Sequence, residues 1–176
     1  MTKNTTDSGL QFLHGRSIDQ VGILVPDLEA AVERHVALWP DLGWKVWEYG
    51  SEYLSSIKFE GAEIEASWRA GLNSATPQIE LIEPVSGPGV YGGWIERHGY
   101  GMHHVGLVVE SFDSAVDEMR GSGFEPVQEG FGFGLDGDGA FAYFDTSEEL
   151  GFWIEIIVRP ARRRDPVATF GVQDQV

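Results

Sequence analysis

Short apolar runs separated by turn residues dominate the chain. Gln20-Val21-Gly22-Ile23-Leu24-Val25 reads as a buried strand. Beyond Pro26, Leu28, Ala31 and Val32 recur at helical spacing, and Asp27 is placed to cap that helix. Strands are predicted over 44–49 and 62–69, and Ile79-Glu80-Leu81-Ile82 closes the series before Pro84. The same order then returns. His104-Val105-Gly106-Leu107-Val108-Val109 repeats the first run, and Phe112-Asp113-Ser114-Ala115-Val116 repeats Leu28-Glu29-Ala30-Ala31-Val32 with Ser111 as its cap. Strands over 124–128 and 139–144 follow, and Ile154-Glu155-Ile156-Ile157 ends before Pro160. Each half therefore reads β-α-β-β-β, and the length difference between them makes 51–61 an inserted loop.

Two copies of one unit predict an α+β fold of two tandem βαβββ modules, related by a pseudo-twofold axis and forming a cup-shaped mixed sheet. The expected organisation is a polar lead-in over 1–16, a first module over 17–85 and a linker over 86–101 with a short helix. A second module over 102–160 and a polar tail over 161–176 complete it. The 176 residues, 42% of them hydrophobic and 23% charged, are enough to bury a core. Lys and Arg number 12 against 28 Asp and Glu, a formal charge of −16, which repels phosphate backbones and anionic lipid. Nucleic-acid and membrane partners are therefore not expected. The chain has no cysteine, so thiolate ligands, disulfides and a cysteine nucleophile are excluded. With no apolar run of membrane-spanning length and no apolar signal-peptide core, a cytoplasmic protein is expected.

The repeat sets unusual residues opposite one another. Gln20 matches His104 and Glu80 matches Glu155, all on otherwise apolar strands. A carboxylate among Ile and Leu is costly to bury without a compensating cation or donors. Taken singly, each Glu reads as a solvent-facing strand residue and His104 as a hydrogen-bonded core histidine. Together the quartet points to one divalent cation, with an imidazole nitrogen, an amide oxygen and two carboxylates as donors. Such a set suits Zn, Ni, Co, Mn or Fe and leaves positions for water and a chelating substrate.

These strands resemble those of the vicinal oxygen chelate superfamily, which includes glyoxalase I, methylmalonyl-CoA epimerase, extradiol dioxygenases and drug-resistance proteins. The resemblance rests on Ile18-Asp19-Gln20-Val21-Gly22-Ile23 and Met102-His103-His104-Val105-Gly106-Leu107. It rests equally on the closing segments Gln78 to Pro84 and Gly151 to Ile156. It implies the ligands Gln20, Glu80, His104 and Glu155, with Gln20 where many members carry His. By strand alternation His103 is expected on the opposite face in a structural role. The resemblance also implies proton transfer next to a metal-bound carbonyl through an enolate or enediolate, with Glu155 as the first catalytic base and Glu80 as its partner. Ring-cleaving dioxygenases typically use two His and one carboxylate, so this set leans toward an isomerase, epimerase or lyase of glyoxalase I-like or acyl-CoA epimerase-like type. A metal-free protein that sequesters a hydrophobic compound is the alternative, with a ring-cleaving dioxygenase ranked after it. A homodimer is expected by the same analogy.

The substrate is expected to be a small molecule, hydrophobic or acyl-CoA, because Trp44, Trp47, Trp68, Phe131, Phe133, Phe141, Tyr143 and Phe144 are expected around the cup, some of them as plain core. Arg162 to Arg164 read either as a solvated tail or as charges for the phosphates of a CoA carrier. The glycine-rich 130–139 segment reads as a lid or a hairpin turn. It lacks the spacing of a dinucleotide loop, and Asp136-Gly137-Asp138 lacks the later acidic ligands of a calcium loop.

Overall fold

The structure is a computed structural model that describes residues 10–171. A single 3-10 turn, Gln11–Leu13, precedes the sheet. The first half contributes β1 (Gln20–Leu24), α1 (Leu28–Leu38), β2 (Trp44–Gly50), β3 (Ser56–Phe59), β4 (Ala62–Glu63), β5 (Ser67–Asn73) and β6 (Gln78–Ser86). Helix α2 (Val90–His98) leads to the second half: β7 (Gly101–Val108), α3 (Phe112–Gly121), β8 (Pro126–Phe133) and β9 (Gly139–Phe144). A turn of helix, α4 (Ser147–Leu150), precedes β10 (Trp153–Val158) and β11 (Ala168–Phe170).

The strands form one curled sheet in the order β11-β2-β5-β6-β1-β7-β10-β9-β8-β3-β4. At its centre β1 and β7 run antiparallel, β6 lies parallel to β1, and β10 lies parallel to β7. The pseudo-twofold relation thus passes between β1 and β7, and the architecture is the expected α+β cup. Period-two alternation divides the residues between its faces. Ile154 and Ile156 of β10 pack with Val105 and Leu107 of β7 under α3, while Leu81 of β6 packs under α1. Their neighbours Glu80, His104 and Glu155 consequently face the inside of the cup. Asp27 accepts from the Ala30 N–H at 2.9 Å and Ser111 from the Ser114 N–H at 3.4 Å, so both helices begin where the sequence places them.

Three expectations are corrected. The 51–61 segment is not simply a loop: β3 crosses to the second half and pairs with β8, because buried Ile57 gives it an apolar anchor there. The expected strand over 62–69 breaks into β4 and β5, which belong to opposite ends of the sheet. The 161–176 segment does not trail away within its described part. β11 pairs antiparallel with β2, so residues 159–167 form a strap from the second half back to the first. The glycine-rich segment continues β8 to Phe133 and then turns into β9, which is the hairpin reading. Residues 1–9 of the lead-in and 172–176 of the tail lie outside the described residues. Among the described residues, no helix is long and apolar enough to cross a membrane.

Candidate metal centre

The central strands bring Glu80, His104 and Glu155 together. One potential ligand atom from each lies within 4.8 Å of the others. Nε2 of His104 is 3.1 Å from Glu155 Oε2 and 3.4 Å from Glu80 Oε2. His104 is completely buried, and Glu155 and Gln20 are nearly so. Gln20 lines the same cavity, and its Nε2 donates to Gln78 Oε1 at 3.4 Å, which leaves its oxygen free of that bond. Gln20, Glu80 and Glu155 therefore line one cavity, with His104 buried against the two glutamates.

Two glycines make this convergence possible. In the sheet register Gly22 lies opposite His104, and Gln20 lies opposite Gly106. A Cβ on Gly22 would stand 1.9 Å from the His104 ring, so only glycine lets the imidazole lie across β1. A Cβ on Gly106 would meet Gln20 at 3.0 Å and Ile157 Cδ1 at 2.7 Å. Each half thus supplies the gap for the other half's polar side chain. The signal stood in the sequence as a glycine two residues after Gln20 and two after His104.

His103 departs from the expected geometry. The β1–β7 register shifts between Gly22 and Ile23, whose partners are His104 and Met102, so His103 is the extra residue of a β-bulge. The bulge cancels the alternation, and His103 stays inside the cup with its Nδ1 3.0 Å from His104 Nδ1. Trp94 meets its ring edge-on at 5.1 Å, and Tyr91, Tyr143 and Trp153 pack around it. Burial first, then the neighbouring His104 and His98, holds the His103 pKa well below its ordinary value, so this ring is neutral. Its Nε2 is buried without a hydrogen-bond partner among the described residues. The assignment that fits places the His103 proton on Nε2, against aromatic faces, and leaves Nδ1 to accept from His104 Nδ1–H. Loss of the second His104 proton then leaves its Nε2 lone pair directed at the two glutamates.

The charge balance of the cluster is unsatisfied by protein alone. Burial opposes a charge on His104, but Glu155 and Glu80 outweigh it and raise its pKa to about 9. Burial pushes the Glu155 carboxyl up as well, against the pull of His104. Although His104 Nε2 and Glu155 Oε2 are close, they are not aligned for a hydrogen bond, and both are orphaned among the described residues. Buried orphan atoms are rare in native proteins. A nitrogen and carboxylate oxygens converging without hydrogen-bond alignment fit a cation with N and O ligands.

Residues 19–144 match the profile described as the Glyoxalase/Bleomycin resistance protein/Dioxygenase superfamily.

The chain belongs to this superfamily.

Solved structures with this fold include a hypothetical protein, BH1468, from Bacillus halodurans C-125. It is 19% identical, with a TM-score of 0.55 over 86% of this chain and all of that one. A methylmalonyl-CoA epimerase in complex with methylmalonyl-CoA and NH4+ is 18% identical, with a TM-score of 0.54 over 86% of this chain and 99% of that one. The methylmalonyl-CoA epimerase from Mycobacterium tuberculosis is 21% identical, with a TM-score of 0.52 over 81% and 88% of the two chains. These likenesses establish the glyoxalase-like fold. No curated protein matches the chain. Superfamily members include enzymes and binding proteins, so the choice between them rests on the site itself.

Proposed function

We propose that the protein is a metal-dependent isomerase, epimerase or lyase that moves a proton next to a carbonyl. The orphaned Nε2 of His104, converging with Glu80 and Glu155 inside the cup, carries this reading. Gln20, Glu80, His104 and Glu155 would hold one divalent ion. A hydrophobic sequestration site has no need of two buried carboxylates around a histidine, whose burial is costly. A divalent ion in this place would supply Lewis acidity to polarise a carbonyl and favour the enolate left by proton loss.

The residues of the chain supply the rest. His103 fixes the His104 tautomer. Glu155 is the base: the substrate C–H proton passes to its carboxylate, the C–H pair becomes the C=C bond of the enolate as the carbonyl π pair moves to oxygen, and return of the proton to a neighbouring carbon or the opposite face completes the reaction. Burial already raises the affinity of Glu155 for a proton. A carboxylate that also holds a cation is a weak base, so Glu155 serves only when free of it. Glu80 is its partner on the opposite side. Trp68, Phe133, Phe141 and Tyr143 line the cavity and exclude water from the reacting carbons.

Deuterium exchange at carbons beside carbonyls, followed over α-hydroxycarbonyls and acyl thioesters, tests the activity. Glu155→Gln is expected to lower exchange about 10²- to 10⁴-fold with metal retained. Full exchange in that variant would remove Glu155 from the chemistry. A cytoplasmic location and a homodimer belong to the same proposal; light scattering checks the latter.

A further inference from the structure

One charged residue in the cavity wall stands apart from the metal-binding cluster. Arg163 lies on the strap between β10 and β11 and borders the cavity together with Gln20, Glu80 and Glu155. The strap is held in register from both sides. Leu135 N–H donates to the Arg162 carbonyl, Ala161 N–H to Asp138 and Val167 N–H to the Val46 carbonyl, at 2.9, 2.9 and 2.8 Å. The neighbouring arginines are engaged elsewhere. Arg162 pairs with Asp136, and Arg164 lies 5.4 Å over the Tyr53 ring while its carbonyl accepts from Trp47 Nε1 at 2.8 Å. Arg163 therefore turns inward, over the Trp47 ring, and its Nη1 donates to the Tyr49 hydroxyl at 3.1 Å.

This guanidinium has no carboxylate partner among the described residues, in a chain where acidic side chains outnumber basic ones by 28 to 12. Tyr49 uses only part of its donor capacity, since a guanidinium carries five N–H groups. A divalent ion would neutralise Glu80 and Glu155. Arg163 would then leave the enclosed site with one uncompensated positive charge, which in a poorly solvated cavity favours an anionic guest. The cavity measures about 40 Å³, room for a few water-sized groups. That space suits a compact head group.

We propose that Arg163 and the metal centre together form a subsite for a compact 2-oxo or 2-hydroxy acid, with the carboxylate shared between the cation and the guanidinium. The planar fork of Arg163 matches a carboxylate oxygen pair, and Tyr49 orients the fork. Leu72, Trp68 and Phe141 take the carbon chain. This subsite rests on the metal centre of the proposed function and narrows its substrate class.

Metal-loaded full-length protein is titrated calorimetrically with pyruvate and with its neutral amide. The acid-to-amide affinity ratio in the wild type is compared with that in Arg163→Met and Arg163→Gln. The ratio is expected to fall roughly 10- to 100-fold in both variants, because a hydrogen-bonded charge pair is lost. Arg163→Lys is expected to recover part of it, and Arg162→Met, outside the cavity, to leave it unchanged. An unchanged ratio in the Arg163 variants, or failure of the metal-loaded wild type to bind either compound, would overturn the proposal. Failure of the wild type to take up metal would instead strike the metal centre. Metal content and melting temperature, measured on each variant, show that it has kept its fold, and the pair of neutral replacements guards against a defect peculiar to one.

Discussion

The two halves of the sheet share a device at its centre and diverge beside it. Gln20 lies across Gly106 in one direction, and His104 lies across Gly22 in the other. The tolerances differ. Beside Gly106 the tightest neighbour is the flexible Ile157 Cδ1 at 2.7 Å, with Gln20 at 3.0 Å, whereas beside Gly22 the neighbour is a rigid, fully buried ring at 1.9 Å from a would-be Cβ. At the β1–β7 seam the extra residue, His103, belongs to the second half's strand and gives His104 an imidazole partner in an aromatic box. Duplication supplies the convergence of donors, and the departure from symmetry supplies the tuned histidine.

Breaking the two glycines separately is the strongest test of that contrast. Gly22→Ala is expected to abolish metal binding, since His104 must leave its place. Gly106→Ala should weaken binding far less, because Gln20 and Ile157 can shift. Metal titration with melting curves on both variants measures the difference; equal losses would show that the halves are equivalent. Next in size, His103→Phe keeps an aromatic ring but removes the acceptor for His104 Nδ1–H. Metal affinity is expected to drop roughly 10- to 100-fold, as for other partners of ligating histidines. An unchanged affinity would leave His103 with packing alone.

The smallest expected effect is a pH dependence. In the metal-free protein the His104 pKa is raised from 6.5 to about 9, so its charge stabilises the fold fully below pH 6.5 and loses that effect as pH rises through 9. The raised Glu155 carboxyl has the same sign. Metal must displace this proton, so affinity should climb between pH 7 and 9 with proton release. Calorimetry in buffers of different ionisation enthalpy detects the release, and His104→Gln should remove it.

The repeat made the centre of the fold legible. QVG and HVG, with a carboxylate in each closing strand, identified the central strands, their repeat relation and the four polar residues because period-two alternation needs no tertiary information. The crossing of β3 to β8 was hidden, since a four-residue strand with one buried Ile is indistinguishable from a loop in sequence. β11 was hidden for the same reason, and with it the inward turn of Arg163. His103 was misplaced because a bulge leaves no mark on apolar alternation until the register of both strands is known.

Metal content tests the central claim most directly. Protein loaded with a divalent ion and freed of excess should carry about one ion per chain, and His104→Ala and Glu80→Gln should carry almost none while retaining the fold by circular dichroism. Equal metal content in wild type and both variants, or none in any of them, would contradict a cation centre built from the two halves.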